Sequence, residues 1–172
     1  MLRGIGLFLN VMTQEILVRS YIFQTIQTYF GAISAVILSA FLFAVFHAGA
    51  IRGSWLAILN VFNPGILFGI AYAVSGNLWL PIALHFTWNF VLGPVLGLSL
   101  SGQNPFPVDW HFLKLNEATI FTGGAFGLEG SIIVTITTVI AIIGLILIYR
   151  PLSQKSCFTL STSDSSNVSP NR

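Results

Sequence analysis

The sequence predicts an all-α integral membrane protein, with about five transmembrane or intramembrane helices around a polar cavity. Three observations predict it. Hydrophobic residues make up 55% of the 172 residues, and Asp, Glu, Lys and Arg only 7%; a soluble domain carries about 25% charged residues. Mean hydropathy is +0.85, so much of the outer surface must face lipid. The few ionisable side chains recur inside apolar runs, where lipid alone would not tolerate them.

The elements follow in order. A span needs about 20 mostly apolar residues to cross about 30 Å of hydrocarbon. Gly4 to Phe30 is helical in pattern but carries Gln14, Glu15, Arg19, Gln24 and Gln27. Such a helix makes sense if one face packs inward or lines a wet cavity. Gly31 to Gly49 is a second span whose titratable group is His47. A third runs from about Trp55 to Val74; its "NPG" at Asn63 to Gly65 predicts a kink or restart, because proline removes a backbone donor. A fourth, Leu78 to Leu96, holds His85 and Asn89, with Pro81 near its start and Pro94 near its end.

Ser99 to Gly130 is polar and rich in turn formers. It reads as a long loop, with a re-entrant or interfacial piece, in which Trp110, Phe112 and Phe126 would sit at headgroup level. Ser131 to Tyr149, without charge, is the clearest span. The membrane domain thus covers residues 1–150, and residues 151–172 form a Ser/Thr-rich tail expected to be disordered. No internal repeat is visible. Arg3 and Arg52 on one side balance Arg150 and Lys155 on the other, so the positive-inside rule leaves the orientation open.

Several classes are excluded. A net charge of +2 without a basic stripe argues against nucleic acid as a partner. One cysteine, Cys157, gives no disulfide framework and no Cys-based zinc site. "MLRGIGLFLNVM" lacks a small-x-small cleavage site and reads as part of the fold rather than a signal peptide.

Three pairs are spaced four apart and so share helix faces: Glu15 with Arg19, Phe43 with His47, and His85 with Asn89. Each has a bland reading. A lone histidine in an apolar helix packs and hydrogen-bonds, Asn89 clips two helices together, a buried Glu–Arg pair neutralises itself, and Phe43 is core. Together they amount to more. A carboxylate and an imidazole can hold a water and take its proton. A second imidazole and an amide can donate to the oxyanion of a tetrahedral intermediate. Arg19 can orient the carboxylate and keep it ionised.

"QEILVRS", "FAVFH" and "HFTWN" resemble, in order, the three signature motifs of the CAAX prenyl protease and bacteriocin-processing family of intramembrane glutamic endopeptidases: Glu-Glu-x-x-x-Arg, Phe-x-x-x-His and His-x-x-x-Asn. "GNLWLPIALHFTWNF" and "TGGAFGLEGS" are also similar, and the resemblance covers about Val11 to Tyr149. It implies a multi-pass protein of the cell membrane that hydrolyses a peptide bond of a membrane-associated peptide or protein, without an acyl-enzyme. By position, His47 would bind the water, and His85 and Asn89 would hold the carbonyl oxygen. Arg19 would be the motif arginine and Phe43 the aromatic beside the site. No cofactor is expected; two histidines and a glutamate could bind zinc on paper, but the glutamic-peptidase reading needs none.

The sequence departs from the pattern at two places. The first motif glutamate is Gln14 and the second is Glu15; the glycine after the arginine is Ser20. Glutamine accepts no proton at neutral pH, and losing a positioned base costs roughly 10²- to 10⁴-fold in rate. Either Glu15 serves as base with His47, or the chain is a catalytically impaired relative that binds a peptide or confers immunity to a bacteriocin. A small proton or solute transporter would use the same histidines as a relay. Family members commonly have helices before the first motif. This leaves a minimal core or a start upstream of Met1, and a homo- or hetero-oligomeric partner would then cover the cavity wall.

Overall fold

The computed structural model describes residues 2–49, 54–102 and 119–163. Its regular elements are helical. They are α1 (Leu2–Glu15), a π-helical segment (Ile16–Phe23), α2 (Gln24–Phe46), α3 (Trp55–Ser75), α4 (Trp79–Phe90) with a π turn (Val91–Val95), two 3-10 turns (Gly124–Phe126 and Leu128–Gly130), and α5 (Ile132–Ser163).

α1, the π segment and α2 run on as one 43-residue apolar stretch, Gly4–Phe46. Gly31, with φ 80° and ψ 169°, breaks it. A side chain rarely adopts that conformation, so glycine marks the bend where the sequence placed the start of the second span. Before the bend, Val11, Glu15, Arg19 and Phe23 all have 0% exposure. This four-spaced stripe carries both members of the ion pair inward. π segments insert extra backbone into a helix and occur often at functional sites.

α3 is continuous from Trp55 through Pro64 to Ser75, so the expected restart at "NPG" does not occur. Ser54 caps its start, accepting from the Ala57 N–H, and Gly76 ends it in a left-handed conformation. α3 is central: α2, α4 and α5 all pack on it, and α1 packs on α4. At Gly65 it comes so close to α2 that a Cβ would lie 2.9 Å from the Ala40 Cα. Asn60 ties α3 to α5, donating to the Ser131 carbonyl at 2.7 Å and accepting from the Thr135 hydroxyl at 2.6 Å.

Three stretches among the described residues are long and apolar enough to cross a membrane: Gly4–Phe46, Trp55–Ser75 and Ile132–Tyr149. α4 has only 12 residues, a rise of about 18 Å at 1.5 Å per residue. Even with its five-residue π turn it is short of the hydrocarbon thickness of about 30 Å. Ile33, Ile37, Phe41, Ile140 and Leu147 are exposed on the outer faces, which suits lipid as solvent. The α5 backbone stays helical to Ser163; residues 164–172 lie outside the described residues.

Phe126 was expected at the headgroups. It is instead 2% exposed and packs in the core with Phe43, Ala57, Val61 and Phe68. Trp110 and Phe112 lie outside the described residues.

Candidate active site

Five segments build the site: the first inward stripe, the end of α2, α3, α4, and the 3-10 turn before α5. Glu15 and Arg19 are fully buried and face each other, with Arg19 Nε 3.3 Å from Glu15 Oε2. Arg19 Nη2 donates to the Gly65 carbonyl at 2.9 Å. Its guanidinium lies 5.2 Å from the Phe43 ring centre and 5.9 Å from that of Phe68, where aromatic faces attract a cation.

Glu15 Oε1 lies 2.8 Å from His85 Nδ1. A carboxylate accepts, so His85 donates from Nδ1. Nε2 is then the ring's other hydrogen-bonding atom: an acceptor in the neutral ring, a donor in the imidazolium. His85 is 5% exposed and stacks on Phe68, with ring centres 4.9 Å apart and planes at 18°.

His47 caps the end of α2. Its Nδ1 lies 2.8 Å from the Phe43 carbonyl, so Nδ1 donates and the neutral ring keeps a lone pair on Nε2. Burial pushes its pKa down, the Phe43 hydrogen bond opposes this, and nearby His85 lowers it further. Phe43 joins the two imidazoles: its ring centre is 4.6 Å from that of His47 and 5.6 Å from that of His85, the latter edge-on.

His47, His85 and Asn89 line one cavity of about 30 Å³, together with Phe43, Phe68, Asn60, Trp88, Ser101, Phe126 and Glu129. One water needs roughly 10–15 Å³ of such space, so the cavity has room for a few waters. Of the seven side chains singled out from the sequence, four share this cavity: Phe43, His47, His85 and Asn89. Glu15 and Arg19 stand behind it, against His85 and the phenylalanines. Gln14 lies elsewhere: its Nε2 donates to Asn10 Oδ1, one turn back, and its Oε1 is buried without a hydrogen-bond partner among the described residues.

Glu129 escaped the sequence reading. It is 8% exposed, lines the cavity, and accepts from Trp88 Nε1 at 2.9 Å and from the Ser101 backbone N–H. The signal was available: it is a lone carboxylate in the glycine-rich run immediately before the most apolar span. Among the described residues no group of three or more His, Cys, Asp or Glu side chains is arranged to hold a metal ion.

Fold and site together define a helical membrane protein with a histidine-lined cavity among its helices. A family model described as type II CAAX prenyl endopeptidase Rce1-like matches residues 2–91. The match spans more than half of the chain and takes in all three motifs; the chain belongs to this Rce1-like family of CAAX-type intramembrane proteases. Searches of curated proteins and of solved structures found no match.

Proposed function

We propose that the chain is a multi-pass membrane endopeptidase that hydrolyses a peptide bond of a membrane-associated peptide or protein. The observation that carries the reading is that His47 from the second motif and His85 and Asn89 from the third line one water-sized cavity. His47 Nε2 accepts a hydrogen bond from the lytic water, because Nδ1 is committed to the Phe43 carbonyl. As the carbonyl carbon is attacked, charge develops on its oxygen. The His85 imidazolium, through Nε2, and the Asn89 amide donate to that oxygen, a contribution typically worth 10²- to 10³-fold for one donor.

The contacts favour a division of labour different from the one expected from the sequence. Glu15 was expected to share the water with His47; its oxygens instead meet His85 and Arg19. Glu15 therefore acts as a positioning residue. It orients His85 and supplies the counter-charge for the imidazolium, while Arg19 anchors the carboxylate to the α3 backbone at Gly65.

The test is cleavage, in nanodiscs, of a fluorophore–quencher peptide ending in a farnesylated CAAX tetrapeptide, alongside its unprenylated form. His47→Ala should lower kcat by at least about 10²-fold, the usual scale for a positioned acid–base group. Turnover equal to that of the unmodified protein would refute the mechanism. A second reading, a peptide-binding or immunity protein of the same family, is favoured by Gln14 at the first motif position. On that reading the unmodified protein binds the peptide without cutting it, and Gln14→Glu starts hydrolysis.

A further inference from the structure

The motifs bring two imidazoles and an amide to the cavity but no carboxylate. Gln14 accepts no proton, and Glu15 is occupied by His85 and Arg19. Glu129 does reach the cavity. It comes from the 3-10 turn Leu128–Gly130, outside the span covered by the family match.

The turn is built to hold it. The Gly130 N–H donates to the Gly127 carbonyl, that of Ser131 to Leu128, and that of Ile132 to Ile120. Gly123, at φ 78°, lies so close that a Cβ would fall 1.8 Å from the Gly127 oxygen, so the turn closes only with glycine there. Trp88, beside Asn89 on α4, donates to Glu129 Oε1, and the Ser101 N–H donates to Oε2. One donor on each oxygen leaves a lone pair on each. His47 and Glu129 line the same cavity of about 30 Å³, which has room for a few waters.

We propose that Glu129 is the proton acceptor for the lytic water, filling the carboxylate role that Gln14 cannot. The inference rests on the peptidase reading above. In the step, the water oxygen bonds to the peptide carbonyl carbon while one water proton passes to a Glu129 oxygen, directly or through a second water. The carbonyl oxygen takes the negative charge beside His85 and Asn89. The intermediate then collapses: the C–N bond breaks, and the Glu129 proton goes to the leaving nitrogen. The products are an acid and an amine, and the carboxylate is restored without oxidant, reductant or covalent enzyme intermediate.

The electrostatics fit this role. Burial raises the Glu129 pKa above its ordinary value of 4.5, while the Ser101 and Trp88 hydrogen bonds and His85 oppose the rise. A base poised closer to neutral is the more effective one. Among the described residues, the charged and titratable groups around the cavity are Glu15 and Arg19 on the first stripe, His47 on α2 and His85 on α4. Burial also lowers the His47 pKa from its ordinary value.

The competing role for Glu129 is mechanical, pinning Trp88 and Ser101 to the loop. The experiment measures kcat and KM against pH in nanodiscs, with the peptides above, for the unmodified protein, Glu129→Gln, Glu129→Asp and Trp88→Phe. Thermal unfolding is followed in parallel. Glu129→Gln should lose at least 100-fold in kcat with KM within threefold. Trp88→Phe removes a donor to the carboxylate and should move the acid limb of the profile to higher pH. If Glu129→Gln does not fold, a displaced acid limb in Glu129→Asp or Trp88→Phe supports the same conclusion. Glu129→Gln within threefold of the unmodified kcat overturns the proposal and leaves the peptidase reading standing. So does an acid limb unmoved in both Trp88→Phe and Glu129→Asp, which a pinning role predicts. An unmodified protein that binds the peptides but cleaves neither overturns both readings.

Discussion

At Glu15 a fully buried carboxylate serves two partners, His85 through Oε1 and Arg19 through Oε2. Removing one member of a buried ion pair strands the other charge, at a cost of about 3–5 kcal/mol, whereas replacing both with apolar groups is often neutral. Glu15→Gln should therefore lower stability by about that amount, and Glu15→Leu combined with Arg19→Met should recover much of the loss. The check is denaturant or thermal unfolding in detergent. The double variant should still cleave poorly, because His85 has lost its carboxylate; a folded, fully active double variant would rule out the positioning role. The spacing of Glu15 and Arg19 foretold that they share a face. That the face meets His85 rather than His47 follows from α1 packing on α4, a choice the spacing does not contain.

Between elements, the α2–α3 contact depends on how closely two backbones approach. A methyl at position 65 would press on the Ala40 main chain, not on a yielding side chain. Overpacking of this kind costs typically 1–3 kcal/mol, so Gly65→Ala should lower the thermal midpoint in detergent, and Ala40→Gly should not rescue it because the clash is with the Cα. Asn60 makes the matching polar contact between α3 and α5. Asn60→Leu should cost roughly 0.6–2 kcal/mol, the scale of an interhelical hydrogen bond in a membrane protein, seen in the same melts. Proline at position 64 suggested a broken helix; α3 stays continuous because its neighbours hold it on three sides. Sequence cues report the local cost of a proline, and tertiary packing decides whether the helix bears it.

For the whole molecule, the bilayer is the solvent of the outer faces. Ile140 is 62% exposed, midway along the apolar part of α5. Ile140→Asp should impair membrane insertion of α5 by about 2.5–3.5 kcal/mol, read as the fraction inserted in a glycosylation-mapping assay; Ile140→Leu should change nothing. Equal insertion of both would mean that this face does not meet lipid.

By itself the sequence determined the helical class, the membrane setting and three of the cavity's polar side chains. Each of these is written in local terms: hydrophobic content, run length, a four-residue spacing. Only the tertiary structure decided which carboxylate meets which imidazole. It turned Glu15 toward His85, left Gln14 on Asn10, buried Phe126, and carried Glu129 to the cavity from a turn 44 residues after His85. Periodicity fixes the face of a helix on which a side chain stands; which neighbour that face meets depends on how the helices and the returning loop pack together.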